Sequence, residues 1–170
     1  LDESEGLLRL LGLKSVRRQG WTRHPIPVEA LESVADHSYG TCLLAWLLCP
    51  PELDRARVLE LALLHDLAET VTGDLTPADG VPESLKKRGE REALSGLLRG
   101  WDRQEEGLQL QREYHEQQSL EARFVKAMDR LDMVLQSWRY ERQYQLDLSE
   151  FRESARAVLE QAGLAEYAKG

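Results

Sequence analysis

His65 and Asp66 stand side by side in residues 58–74, VLELALLHDLAETVTGD. Apart from Glu60, residues 58–64 are apolar, and a helix without a polar face is normally buried. A buried carboxylate without a partner is costly, so something must satisfy Asp66: a metal ion, a cation or several hydrogen bonds. The apolar run itself contains no Lys or Arg. Glu69 falls one turn further along the same side of the expected helix, and Gly73 supplies a stop that returns Asp74 over the mouth of the site. His37 and Asp129 lie on or beside the apolar faces of two other expected helices. Two imidazoles and two carboxylates from three helices make a mixed nitrogen and oxygen set suited to a divalent metal (Mn, Co, Fe, Ni, Zn or Mg), and a helical bundle permits their convergence. The spacing is not that of a zincin, because HDLAE lacks the second His of HExxH. Taken singly, His37 also reads as a hydrogen-bonded structural residue, and Asp129 as a salt-bridge partner of Lys126 or Arg130. The adjacent pair inside an apolar run is much harder to read as structural.

The elements that must position these residues are helical. A short first helix (SEGLLRLLGLKSV) gives way to the basic residues Lys14, Arg17 and Arg18, then to a long connection broken by Gly20, Pro25 and Pro27. The second helix spans residues 32–49, with Ala35, Tyr39, Cys42, Leu43, Trp46 and Leu47 as its expected buried stripe. The third starts at Asp54 as N-cap and runs to Gly73. After the loop DLTPADGVP come a polar helix over residues 83–99, an exposed helix over 104–116, a long helix over 119–144 and a last one over 149–167. No alternating strand pattern or internal repeat is found. The expected fold is therefore all-α, a single-domain helical bundle over residues 1–170.

Length and composition agree. The 170 residues suit one domain able to enclose a buried polar site, and 42% hydrophobic with 31% charged residues is ordinary for a globular protein. A net charge of -8 argues against a nucleic-acid polymer as partner, which needs a basic surface. Cys42 and Cys49 are expected to be free thiols. Neither a signal peptide nor an apolar run of membrane-spanning length is seen, so a cytoplasmic, membrane-free protein is expected. The chain begins at Leu1 rather than Met, so the natural N-terminus is expected upstream.

The pattern SVADHSYGT, LALLHDLAE and FVKAMD resembles the HD-domain metal-dependent phosphohydrolases. The longer strings HDLAETVTGDLTPAD and EARFVKAMDRLDM resemble the 5'-deoxynucleotidase branch of that superfamily. The resemblance covers roughly residues 13–140. It implies an HD domain that binds one divalent metal through His37, His65, Asp66 and Asp129. It further implies catalytic carboxylates at Glu69 and Asp74, and substrate contacts from Arg18 and Trp21; Asp79 and Lys126 are also expected about the substrate. Members are commonly homodimers that release phosphate from deoxyribonucleoside 5'-monophosphates. On this reading Asp74 is the favoured general acid and Glu69 orients water. Arg18, Arg23 or Lys126 offsets charge on the phosphoryl oxygens, and Trp21 lies flat against the deoxyribose. Two alternatives stand beside it. One is another HD phosphohydrolase acting on nucleoside triphosphates, guanosine alarmones or cyclic nucleotides; the other is a non-catalytic helical interaction domain with a structural metal.

Overall fold

The computed structural model describes residues 3–169; residues 1, 2 and 170, the outermost positions of the expected domain, lie outside the described residues. Helix α1 (Glu3–Leu10) runs into a 3-10 turn, Leu11–Ser15, that buries Leu13. The Pro-containing connection holds a short helix, α2 (Gln19–Thr22), and a second 3-10 turn, Val28–Ala30. An antiparallel bridge closes this connection: Val34 N donates to Val16 O at 2.8 Å and Arg18 N to Glu32 O at 3.2 Å. Arg18 is thereby fixed beside the start of the next helix.

That helix, α3 (Val34–Leu48), opens on a capping box. Ser33 Oγ accepts from Asp36 N at 3.1 Å, and the Asp36 carboxylate accepts from Ser33 N at 2.8 Å. Caps of this kind contribute about 1 kcal/mol, enough to hold the first turn, which carries His37. The face that α3 buries is not the expected one. Val34, His37, Ser38, Thr41 and Ala45 point inward, while Tyr39, Leu43, Trp46 and Leu47 are exposed. The helix is apolar nearly all round, so periodicity alone cannot choose a face; the face with small residues wins because it lets α3 approach its neighbours closely.

Helix α4 (Arg55–Leu64) is capped as expected by Asp54, whose carboxylate accepts from Ala56 and Arg57 N–H. It ends earlier than expected. Residues 65–68 form tight turns, with Leu67 N donating to Leu64 O at 3.1 Å and Glu69 N to Asp66 O at 2.9 Å, before α5 (Glu69–Thr72) resumes. The His-Asp pair thus sits in a break rather than within a continuous helix. Nor is the run before it buried all round: Val58, Leu61 and Ala62 are inside, but Leu63 is exposed.

A 3-10 turn, Pro77–Asp79, leads to α6 (Glu83–Leu97), which turns Ala93, Leu94 and Leu97 inward. Helix α7 (Gln104–Glu116), expected to be exposed, buries Leu110, Gln111 and Tyr114. The long α8 (Leu120–Tyr144), capped by Ser119, buries Val125, Met128, Leu131 and Val134 and packs against α3, α4 and α9 (Ser149–Gln161). Helix α9 stops short of its expected end and gives way, after Gly163 at φ +75°, to a last 3-10 turn, Ala165–Ala168. Among the described residues there is no strand beyond the isolated bridge, so the architecture is an all-α bundle.

Candidate active site

His37 on the first turn of α3 and Asp129 in mid-α8 meet where those helices pack, with Nε2 and Oδ1 3.3 Å apart. From the break after α4, His65 brings its Nε2 to 3.4 Å from His37 Nε2. These three residues each offer one donor atom within 4.8 Å of the others. Asp66 stands at the side of the trio, its Oδ2 3.1 Å from His65 Nε2 and 3.6 Å from His37 Nε2. Donor atoms around a divalent ion with bonds of about 2.1 Å are separated by about 3.0–3.4 Å; the separations of 3.1, 3.3 and 3.4 Å match that spacing, and the 3.6 Å from Asp66 to His37 lies slightly beyond it.

The remaining atoms of these side chains are held by neighbours that aim the donors inward. His65 Nδ1 is 2.7 Å from Ala62 O; a carbonyl only accepts, so Nδ1 carries the proton and the Nε2 lone pair faces the centre. His37 Nδ1 is 2.7 Å from Asp132 Oδ2. Asp129 accepts at Oδ2 from Lys126 Nζ at 2.7 Å and from Tyr114 OH at 2.9 Å, which leaves Oδ1 for the centre.

Charge is concentrated here. Burial alone would raise the Asp66 pKa, yet His65 first, then His37 and Arg18, hold it well below the usual carboxylate range. Burial acts likewise on Asp129, where Lys126 and the His37 hydrogen bond prevail and keep it ionised. For His37, burial and Arg18 disfavour the cation, but hydrogen bonds to Asp129 and Asp132 outweigh them and bring it to about 9. Two further carboxylates border the donors. Glu69 is 4% exposed, and burial with the like charges of Asp66 and Asp74 pushes its carboxyl up to about 10. Its Oε2 is buried with no hydrogen-bonding partner among the described residues. Asp74, also buried, accepts from Gln19 N at 2.7 Å. Arg18 Nη1 lies 3.5 Å from Asp74 Oδ1 and 3.7 Å from Asp66 Oδ2, and those anions keep it protonated despite its burial.

The structure therefore brings His37, His65, Asp66, Asp129, Glu69, Asp74, Arg18 and Lys126 together. It does not bring in Trp21 as a sugar contact. That ring is 1% exposed, lies 4.2 Å from Phe151 and 5.3 Å from Tyr140 between centroids, and donates from Nε1 to Glu32 Oε1 at 2.6 Å. A ring so enclosed has no face to offer a ligand, so the expected contact is corrected to a core role. Asp79 is likewise occupied elsewhere. It accepts from Thr76 N at 2.6 Å to cap the Pro77–Asp79 turn and pairs with Arg23 at 3.1 Å on the surface.

Sequence reasoning missed Asp132, Tyr114 and Lys86. Asp132 follows Asp129 by one helical turn, a signal present in DRLD. Tyr114 had none, because its helix shows few apolar residues. Lys86 on α6 donates to Leu75 O at 2.7 Å, directly after Asp74, and faces Glu90 at 3.6 Å.

Comparison with known proteins finds relatives over most of the chain. The HD domain family matches residues 11–166. The chain is 44% identical over 137 residues to the 5'-deoxynucleotidase HDDC2 of Bos taurus, covering 79% of this chain and 66% of that one. It is 37% identical over 147 residues to the 5'-deoxynucleotidase hdd1 of Schizosaccharomyces pombe, covering 82% of this chain and 73% of that one. It thus spans about two thirds of the length of the bovine relative. A solved structure, a conserved hypothetical protein from Pyrococcus furiosus, superposes with a TM-score of 0.81 at 31% identity, over 98% of this chain and 99% of that one.

Proposed function

The chain belongs to the HD domain family, and on that premise we propose that it is a metal-dependent 5'-deoxynucleotidase, hydrolysing deoxyribonucleoside 5'-monophosphates to deoxyribonucleosides and phosphate. One observation carries this reading. The donor set is bordered by Glu69, Asp74 and Arg18, and a metal that only held the fold together would need none of them. We assign His37, His65, Asp66 and Asp129 to one divalent ion, drawn from Mn, Co, Fe, Ni, Zn or Mg by the chemistry of two nitrogens and two oxygens. When bound, such an ion lowers the pKa of water and polarises a phosphoryl oxygen.

The chain's own residues supply the rest. Arg18 between Asp66 and Asp74, and Lys126 beside Asp129, are the cations placed to offset the equatorial phosphate oxygens. Hydrolysis joins a water oxygen to phosphorus and breaks the bond from phosphorus to the 5'-oxygen, which must receive a proton. The hydrogen bonding favours Glu69 as that donor over Asp74, the residue favoured from sequence. Asp74 accepts from Gln19 N and faces Arg18, as an ionised acceptor does, whereas Glu69 Oε2 is buried and free of partners among the described residues. Asp74 then orients the water.

We further read residues 1–170 as one HD domain that forms a homodimer in the cytoplasm. The exposed apolar side of α3 supports the dimer, and the two free cysteines suit a reducing compartment. The net charge of -8 opposes a nucleic-acid polymer as partner, and no helix among the described residues is long and apolar enough to cross a membrane.

Product analysis by chromatography tests the reading. Deoxy- and ribonucleoside monophosphates, a deoxynucleoside triphosphate, a guanosine alarmone and a cyclic nucleotide are each incubated with the metal-supplied protein. Deoxyribonucleoside and phosphate from the deoxy monophosphates are the expected products. Pyrophosphate or triphosphate release, or opening of the cyclic ester, in place of that reaction would overturn it.

A further inference from the structure

His37 is fully buried, and its Nδ1 meets Asp132 Oδ2 at 2.7 Å. The other Asp132 oxygen points at the backbone of α3 one turn beyond His37. There a Cβ placed on Gly40 would lie 2.0 Å from Asp132 Oδ1 and 2.8 Å from its Cγ, distances no side chain tolerates. The two helices repeat the same step. His37 and Asp129 face each other at the donor set; three residues on in each helix, Gly40 and Asp132 face each other behind it. We infer that Gly40 and Asp132 together position His37 for the metal, the glycine leaving room for the carboxylate and the carboxylate fixing the imidazole.

The chemistry follows from what each group can do. A carboxylate oxygen accepts, so Asp132 holds a proton on Nδ1 and fixes the ring with Nε2 toward Asp129 and His65, the nitrogen that would ligate a metal once its own proton is displaced. On His65 the Ala62 carbonyl performs the same service from the backbone, 2.7 Å from Nδ1. Of the two imidazoles, His37 is the one held by a side chain, and that side chain fits because position 40 has none. Glycine within a helix is otherwise the poorer choice, since alanine is the better helix former. Gly40→Ala should therefore favour α3 as a helix while displacing Asp132, and a loss of metal affinity cannot be laid to helix propensity. Asp132 is thus a positioning residue, acting through His37.

This inference rests on the metal reading of the site, and one experiment separates the two. Chelator-stripped protein is titrated with zinc or manganese against a competing chelator, well below the thermal midpoint of each metal-free variant, which is recorded alongside. Asp132→Ala and Gly40→Ala should each weaken metal binding about 10- to 100-fold, the scale for losing an outer carboxylate partner, and the near-isosteric Asp132→Asn should weaken it less. The double variant should bind about as the single Asp132→Ala does, because the methyl group added at position 40 acts only by evicting the carboxylate. Affinities within about threefold of the unaltered protein, in Asp132→Asn as well as in any folded Ala variant, would overturn the inference while leaving the metal site standing. Fully additive losses at the two positions would overturn the pairing. An unaltered protein that binds no metal would overturn the site and the inference together.

Discussion

Glu69 and Asp74 are both buried beside the donor set, yet they differ in what holds them. Asp74 is pinned by Gln19 N at 2.7 Å and by Arg18, and Glu69 Oε2 has no partner among the described residues. Neither is needed to complete a four-residue ligand set, so both should act on substrate rather than on metal uptake. Glu69→Gln and Asp74→Asn are expected to keep near-normal metal content and helicity while losing about 100-fold in turnover of a deoxyribonucleoside monophosphate. With p-nitrophenyl phosphate, whose leaving group needs little protonation, Glu69→Gln should lose much less and Asp74→Asn about as much as before. Metal analysis, circular dichroism and turnover of both substrates check this. Loss of metal from either variant would move that carboxylate into the ligand shell. The residue types were legible in sequence because a carboxylate beside an imidazole in an apolar run demands a partner that the run does not contain. Which carboxylate donates was not, since it depends on a backbone N–H fifty-five residues away in sequence from the carboxylate it meets.

At the scale of elements, the loop after Asp74 is tied down by α6. Lys86 Nζ donates to Leu75 O at 2.7 Å and lies 3.6 Å from Glu90, which is itself buried and paired with His115 at 3.1 Å. Lys86→Met removes a charged hydrogen bond to the residue next to Asp74, a loss of about 1.4 kcal/mol or tenfold. The prediction is a tenfold fall in kcat with metal content unchanged; an unchanged kcat would show that the loop holds Asp74 without help. Helix existence was readable from periodicity and from caps such as Asp54 and Ser119. Three features were not. Helix α3 is apolar on both sides, so close packing of its small face, not its pattern, decides what it buries. The break at residues 65–68 follows from local hydrogen bonds that no periodicity encodes. Trp21 joins the core through Tyr140 and Phe151, partners more than a hundred residues away in sequence.

At the scale of the whole molecule, the outward side of α3 carries Tyr39, Leu43, Trp46 and Leu47 at one helical stripe, exposed by 70%, 42%, 55% and 59%. None of these four residues is charged, so a second copy can cover the stripe without burying an unpaired charge. Sedimentation velocity should find a dimer, and Trp46→Glu, which would set two like charges across a two-fold interface, should give a monomer with its metal retained. A monomeric unaltered protein, or a variant that stays dimeric, would remove α3 as the interface. The proposed activity requires a metal held by this bundle and used on a phosphate monoester. Phosphate release from a deoxyribonucleoside 5'-monophosphate by chelator-stripped protein, before and after one divalent metal is restored, probes both requirements at once in the unaltered chain and in Asp66→Ala. No release is expected before restoration, with recovery in the unaltered protein and none in Asp66→Ala. Full release by the stripped protein, or by Asp66→Ala, would contradict a metal-dependent hydrolysis at this site.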